Sequence, residues 1–343
     1  MAEVFLARRE GPRGFEKRVA LKCIHRHLCD DPGLVAMFLD EARIAAALAH
    51  PFIAEIHDLG EAEGRPFLCE EFVFGKDLRA ITRMRKRWPL AEALGIARDV
   101  ALALDHAHRA TDARGRPLRV VHRDVTPRNV LVSFDGAVKL IDFGIAKAAQ
   151  RHTETQGGVR KGKIAYMSPE HVNGDPIDGR ADLFSLGVVL YELCLGRRPF
   201  EGEPGAELAL RVAESAHLPA REVDAEFPED VSDLLDRLLS KSPDGRFESG
   251  NALAEAIEVC LRARASMPTF TARARMLRDL FAPLYNAGPL AAGEPIIPSL
   301  PASFDDQGTP ATSETRWFDL GPAAEAPLAA SVPGPAVPGK ADA

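Results

Sequence analysis

The sequence predicts an α+β protein of two lobes: a small antiparallel β lobe that contains one helix, and a larger, mainly helical lobe. Residues 3–73 contain apolar and β-branched runs separated by turn residues such as Gly-Pro-Arg-Gly at 11–14, a pattern typical of short strands. From residue 77 to 263 the pattern is mainly helical. The run at 182–194 is apolar on nearly every side, so we expect it to form a helix buried inside the second lobe.

Composition limits the classes of function. The 343 residues are 46% hydrophobic, enough for a substantial core, and the formal net charge of -7 does not indicate a nucleic-acid partner. The five cysteines contain no C-x-x-C pair, so neither a zinc site nor a disulfide framework is predicted. No run approaches the roughly 18 apolar residues of a membrane span, and no signal-peptide pattern is present. We therefore expect a soluble protein in the cytoplasm.

A lysine and a glutamate in the first lobe are predicted to pair. The segment from Pro32 to Ala49 carries an apolar stripe at helical spacing, and Glu41 falls inside that stripe. A buried carboxylate needs a cation. Lys22, near the end of an apolar strand, is the expected partner of Glu41.

The C-terminal part of the chain divides into two segments. Residues 264–285 have apolar residues at helical spacing, which predicts one amphipathic helix docked on the larger lobe. Residues 286–343 are rich in Pro, Ala and Gly and poor in large apolar residues, so we expect this tail to be disordered.

Three motifs in order carry the chemistry. They are His-Arg-Asp-Val-Thr-Pro-Arg-Asn at 122–129, Asp-Phe-Gly at 142–144 and Ser-Pro-Glu at 168–170. Their order and spacing resemble the signature of the bacterial eukaryotic-like Ser/Thr protein kinases. The resemblance covers roughly residues 1–263, with a small lobe at 1–73, a hinge at 71–76 and a large lobe at 77–263.

The resemblance implies ATP as phosphate donor and Mg²⁺ as cofactor. By resemblance, Asp124 accepts the proton of the substrate hydroxyl, Asn129 and Asp142 hold magnesium, and Lys22, oriented by Glu41, holds the α- and β-phosphates. Oxygen ligands suit magnesium. The alternative is a purely structural role, in which Asp124 and Asn129 only cap a turn.

Other positions are assigned by the same resemblance. Val4 and the main chain of Glu71 and Val73 would contact the nucleotide. Glu70 departs from the family, which usually has an apolar residue or Thr at the back of the adenine pocket. Either Glu70 meets a cation or the alignment slips by one residue.

Three residues are expected to support the large lobe. Asp182, at the start of the buried helix, resembles the family residue that braces the catalytic loop. Arg246 resembles the arginine that pairs with the glutamate of the third motif, here Glu170.

The start of the chain and the segment after Asp-Phe-Gly carry two further expectations. Residues 1–4 match the end of the family's glycine-rich loop, so the first strand and most of that loop are expected to be missing and ATP binding to be weak.

Thr153 and Thr155 are candidate phosphorylation sites, whose phosphate would pair with Arg123.

The lysine that contacts the γ-phosphate in this family is predicted to stand at a different sequence position in this chain. Ser/Thr kinases of this type usually have Lys two residues after the catalytic aspartate and Thr in the GTxxY segment. Here Thr126 and Lys163 occupy those positions in exchange. Lys163 is the expected cation at the γ-phosphate, and Arg128 is the competing one.

These residues together predict a Mg-ATP-dependent protein Ser/Thr kinase of bacterial signalling, acting on Ser/Thr of protein substrates and on itself. A pseudokinase that serves as a binding module is the alternative. A small-molecule phosphotransferase is disfavoured by the Ser-Pro-Glu motif and Arg246.

Overall fold

The computed structural model describes residues 2–11, 13, 15–62, 64–112, 114–143, 163–203, 205–288 and 317–322, the last six by backbone alone. The helices are α1 (Pro32–Ala46), α2 (Leu78–Met84), α3 (Leu90–His108), α4 (Pro169–Asn173), α5 (Gly179–Leu195), α6 (Ala206–Glu214), α7 (Ala220–Val223), α8 (Glu229–Leu238), α9 (Gly250–Ala263), α10 (Phe270–Leu280) and α11 (Ala282–Ala287). The strands are β1 (Ala2–Gly11), β2 (Phe15–Ile24), β3 (Ile56–Ala62), β4 (Arg65–Glu71), β5 (Gly75–Asp77), β6 (Val130–Ser133), β7 (Val138–Leu140) and β8 (Trp317–Pro322). The predicted α+β architecture of two lobes is confirmed.

The small lobe is an antiparallel sheet with the strand order β3-β4-β2-β1-β8. Lys22 on β2 lies opposite Val4 on β1 and Leu68 on β4. Helix α1 begins at the cap residue Asp31, whose carboxylate accepts hydrogen bonds from the next turn, and it packs Phe38 and Ala42 against the sheet. This packing holds α1 beside the strand that carries Lys22.

The large lobe is built around α5, which is buried over nearly its whole length as predicted. Helices α3 and α8 pack against α5, and α9 packs against α3 and α8. Together they form one continuous apolar core with the segment 120–143. Strands β5, β6 and β7 form a second sheet at the edge of this lobe. Because β5 follows residues 72–74 directly after β4, the chain crosses between the lobes in that short stretch.

The segment after α9 docks on the large lobe as two helices, whereas one helix was predicted for 264–285. The break falls at Phe281, because Pro283 lacks an N–H donor and is tolerated only in the first turn of a helix, here α11. The main chain at the start of α10 lies close to the turn between β6 and β7. A Cβ on Gly136 in that turn would lie 2.0 Å from the main-chain oxygen of Phe270.

One side chain of α10 is buried more deeply than its charge would suggest. Arg273 is 1% exposed, with Nη1 2.9 Å from Asp99 Oδ2 and Nε 3.3 Å from Glu92 Oε2. The contact with Glu92 is an ion pair without hydrogen-bond geometry, so Asp99 is the main partner. Asp99 also accepts from Arg98, and thus lies between two guanidinium groups.

The prediction that the C-terminal tail is disordered is wrong for six residues. Trp317–Pro322 were predicted to be disordered, but they form β8, which pairs antiparallel with β1. An edge strand such as β1 presents unpaired N–H and C=O groups, and aromatic residues favour strands, so β1 can accept this neighbour. The rest of the predicted tail beyond Gly288 lies outside the described residues.

Within the residues that the structure describes, no helix combines the length and the apolar character needed to cross a membrane.

Candidate active site

The cleft between the lobes brings together the lysine of β2, the glutamate of α1 and the aspartate of the second motif. Lys22 Nζ lies 3.4 Å from Glu41 Oε1 and 2.8 Å from Asp142 Oδ1. Burial by itself would lower the pKa of Lys22, but Asp142 and Glu41 outweigh burial and raise that pKa. Lys22 therefore stays charged and links the two lobes.

Glu70 lies on β4 behind this lysine and lines a small cavity with Glu41 and Asp142. Burial raises the pKa of Glu70 to about 7, and the charge of Lys22 offsets only part of the rise. The register of β4 places Glu70 opposite Ala20, two residues before Lys22. Lys22 is the cation whose charge lowers the pKa of Glu70.

Helix α5 holds the loop 122–129, which is predicted to be catalytic, through hydrogen bonds from its main chain. Asp182 accepts hydrogen bonds from the main-chain N–H groups of His122 and Arg123, each at 2.8 Å, and its Oδ2 lies 2.8 Å from Nε2 of His108. Burial would raise the pKa of Asp182, but these hydrogen bonds and charges lower it. An ionised carboxylate at this depth fixes the loop and with it Asp124.

Two residues at this site have left-handed backbone. Arg123 has φ 62° and Asp142 has φ 57°. Such values are uncommon outside glycine and cost free energy, so they persist where surrounding contacts hold them. For Arg123 the contact is the hydrogen bond to Asp182, and for Asp142 it is the ion pair to Lys22.

The catalytic aspartate predicted from the sequence has a cation beside it. Lys163 Nζ lies 2.7 Å from Asp124 Oδ1, and the two side chains are 25% and 10% exposed. Asn129 donates from Nδ2 to the main-chain oxygen of Asp124 at 2.8 Å. Arg128, on the same loop, is exposed to solvent, whereas Thr126 is partly buried.

The hinge residues leave main-chain groups for a ligand. The N–H of Glu71 donates to Glu55 O at 2.8 Å, so this N–H already has a partner. Among the residues that the structure describes, none forms a hydrogen bond with the main-chain N–H of Val73. Such a group needs a partner when a ligand covers it. Val4 is 44% exposed at the other side of the cleft.

Glu170 and Arg246 form a bidentate pair in the large lobe. Arg246 Nη1 and Nη2 donate to Glu170 Oε1 and Oε2 at 2.7 and 2.8 Å, and the arginine is 3% exposed. Burial would raise the pKa of Glu170, but the hydrogen bonds from Arg246 lower it. The pair ties α4 to the turn before α9.

One polar cluster was not found by the sequence reasoning. Tyr166 Oη donates to Glu192 Oε2 at 2.5 Å, and Arg79 Nη1 lies 3.4 Å from Glu192 Oε1. Glu192 falls inside the apolar run of α5, and an acidic residue within such a run was the available signal.

Thr153 and Thr155 lie outside the described residues.

Comparisons with known proteins agree with this geometry. The model of the protein kinase domain family matches residues 2–257. The chain belongs to the protein kinase family. The match covers both lobes and ends within α9.

Relatives of this kinase are found among bacterial proteins. Tyrosine-protein kinase MasK of Myxococcus xanthus is 42% identical over 270 residues, which cover 78% of this chain and 42% of MasK. Serine/threonine-protein kinase PknA of Mycobacterium tuberculosis is 36% identical over 246 residues, which cover 70% of this chain and 54% of PknA. The matched region thus spans about half the length of these relatives.

A solved structure shares the fold. The crystal structure of the Mycobacterium tuberculosis PknI kinase domain matches with a TM-score of 0.54 and 29% identity, over 76% of this chain and 90% of that domain.

Proposed function

We propose that the protein is a Mg-ATP-dependent protein serine/threonine kinase. The observation that carries the proposal is that Lys22, Glu41 and Asp142 form one cluster of ion pairs beside the loop of Asp124. The N–H of Ile141, next to Asp142, donates to the carbonyl of Asn129 at 3.0 Å. PknA, by its name, supports serine and threonine as acceptors, whereas the name of MasK points to tyrosine.

Each of these residues has a distinct task in the transfer. Lys22, kept charged by Glu41 and Asp142, binds phosphate oxygens of ATP. The carbonyl of Glu71 and the N–H of Val73 bind the base, and Val4 covers it. Asp124 orients the acceptor hydroxyl and accepts its proton as the oxygen attacks the γ-phosphorus and the bond to the β-phosphate breaks.

The donor set fits magnesium. Asn129 uses its amide nitrogen for the carbonyl of Asp124, which turns the amide oxygen into the atom available to a ligand. The carboxylate of Asp142 supplies further oxygens, and oxygen donors are what Mg²⁺ prefers. Bound there, the ion would neutralise negative charge on the phosphates.

Transfer and its acceptor amino acid can be measured together. The full-length protein is incubated with γ-labelled ATP and Mg²⁺, alone and with a mixture of Ser, Thr and Tyr peptides. We expect acid hydrolysis to release labelled phosphoserine or phosphothreonine. A folded protein that transfers no label with Mg²⁺ or Mn²⁺ would contradict the kinase assignment, and phosphotyrosine alone would contradict the acceptor class.

Lys163 is proposed as the cation that stabilises charge on the transferred phosphoryl group. Its ammonium lies beside Asp124, the residue that receives the acceptor, whereas Arg128 points into solvent. A fixed cation at the site of developing charge lowers the barrier, because it needs no reorganisation during the reaction.

Lys163→Met is therefore expected to lower kcat by at least about tenfold, about 1.4 kcal/mol of barrier. The reciprocal double change Thr126→Lys with Lys163→Thr is expected to recover most of that loss, and Arg128→Met to cost less. Steady-state kinetics with saturating ATP measure all three. An unchanged kcat in Lys163→Met would leave Arg128 as the candidate cation.

Regulation by phosphorylation remains a prediction. Arg123 is fixed at the catalytic loop by Asp182, which suits a partner for phosphate on Thr153 or Thr155.

A further inference from the structure

A cluster of three aromatic rings joins the C-terminal helix α11 to the segment that connects the two lobes. The ring centre of Tyr285 on α11 lies 5.3 Å from that of Phe134 and 6.5 Å from that of Phe74. The ring centres of Phe74 and Phe134 are 4.7 Å apart. All three distances are typical of aromatic pairs that attract each other. Phe74 directly follows Val73, whose main-chain N–H is proposed to bind the base of ATP.

The main chain of the connecting segment is held against β6. The N–H of Phe134 donates to the carbonyl of Phe74 at 2.8 Å, and Gly75 pairs with Ser133 in the second sheet. The two strands are in close contact there, because a Cβ on Gly75 would lie 2.0 Å from the main-chain oxygen of Val132. A shift of Phe134 would therefore also shift Phe74 and Gly75.

Helix α10 fixes this cluster to the large lobe. Arg278 Nε donates to the main-chain oxygen of Phe134 at 2.8 Å, and Nη2 of the same arginine donates to Asp135 Oδ1 at 2.9 Å. The guanidinium of Arg278 also lies 4.9 Å from the ring centre of Tyr285, as in a cation–π contact. The buried Arg273 anchors the same helix to α3. The position of Tyr285 is thus defined from both sides of its ring.

We infer that Tyr285 is a positioning residue for nucleotide binding, which acts through Phe74 and Phe134 on the segment 71–74. The inference rests on the proposed function, in which this segment binds the base. Tyr285 lies beyond residues 2–257, to which the match with the protein kinase family extends. A segment that is already ordered binds a ligand more tightly than a mobile one, because less conformational entropy is lost on binding. We therefore expect Tyr285 to affect the affinity for nucleotide rather than the rate of phosphate transfer.

Tyr285→Ala in the full-length protein tests the inference with two readouts. Hydrogen–deuterium exchange of residues 72–77 and 130–135 is expected to be at least about fivefold faster in the variant, because the hydrogen bonds between these segments open more often. Calorimetry with Mg²⁺ and a non-hydrolysable ATP analogue is expected to give a Kd about fivefold higher or more. KM for ATP should rise in parallel, while kcat changes by less than about twofold.

Further variants separate positioning from a general loss of stability. Tyr285→Phe keeps the ring and should retain the exchange and the affinity of the original protein. Asn286→Ala, at an exposed neighbouring residue of α11, should change neither. Exchange within α3 should be the same in all variants. If Tyr285→Ala does not fold, Arg278→Gln removes the contacts with Phe134 and Asp135 and is expected to change exchange and affinity in the same direction.

The outcomes distinguish the inference from the proposed function. Unchanged exchange of residues 72–77 in a folded Tyr285→Ala protein, or faster exchange with an unchanged Kd, overturns the inference while the kinase assignment stands. A loss of affinity in Tyr285→Phe as large as in Tyr285→Ala also overturns it, because the ring is still present. A full-length protein that binds no nucleotide and transfers no phosphate contradicts the proposed function. The exchange of residues 72–77 then decides by itself whether Tyr285 holds this segment.

Discussion

Arg273→Met is expected to lower the free energy of unfolding of the large lobe by about 3–5 kcal/mol, because the change leaves buried carboxylates without their cation. Asp99 is fully buried and would retain only Arg98, and Glu92 would lose its ion pair. Burial already raises the pKa of Glu92, and Arg273 is one of the groups that oppose the rise. Urea unfolding followed by the fluorescence of the buried Trp88 measures the loss.

Two further variants show whether the ion pair is the cause. Arg275→Met changes an exposed arginine on the same helix and should alter stability by less than about 0.5 kcal/mol. Adding Asp99→Leu to Arg273→Met removes the stranded charge and should restore part of the loss. If Arg273→Met and Arg275→Met are equally stable, α10 is not held on the lobe by this pair.

The sequence predicted the helix and strand pattern where apolar periodicity was strong. The stripe on α1 and the apolar run of α5 both lie where expected, because burial on one face or on all faces leaves a clear pattern. The break at Phe281 and the strand at Trp317–Pro322 were missed. A proline near a helix start and a short strand at a sheet edge depend on what packs nearby, which spacing along the chain does not record.

The site was predictable to the extent that motifs carried it. The second motif contains Asp142, the apolar stripe predicted that Glu41 pairs with Lys22, and the structure brings Lys22 into contact with both. The buried role of Arg273 was not predictable, since a charged residue on a helix is normally read as exposed, and the partners of Glu192 were not predictable although its place in an apolar run indicated burial. Each acquires its partners from elements distant in sequence, so only the packing of the lobe reveals them.

Asp142→Asn is expected to reduce kcat/KM for phosphate transfer by at least about a thousandfold, about 4 kcal/mol of barrier, because it removes the charge proposed to hold magnesium. The change is well suited to the position. Asparagine tolerates the left-handed backbone found here at φ 57°, and its amide oxygen can still accept from Lys22.

In the Asp142→Asn variant, Lys22 also retains its ion pair with Glu41. The free energy of unfolding should therefore change by less than about 1 kcal/mol. Label transfer from γ-labelled ATP, followed over time with Mg²⁺ in excess, measures the loss. Asp279→Asn, an exposed aspartate of α10, is the matched control and should retain full transfer. A folded Asp142→Asn protein with a tenth or more of the original activity would show that this carboxylate does not hold the ion, because loss of a magnesium ligand leaves the phosphate charge without its counterion.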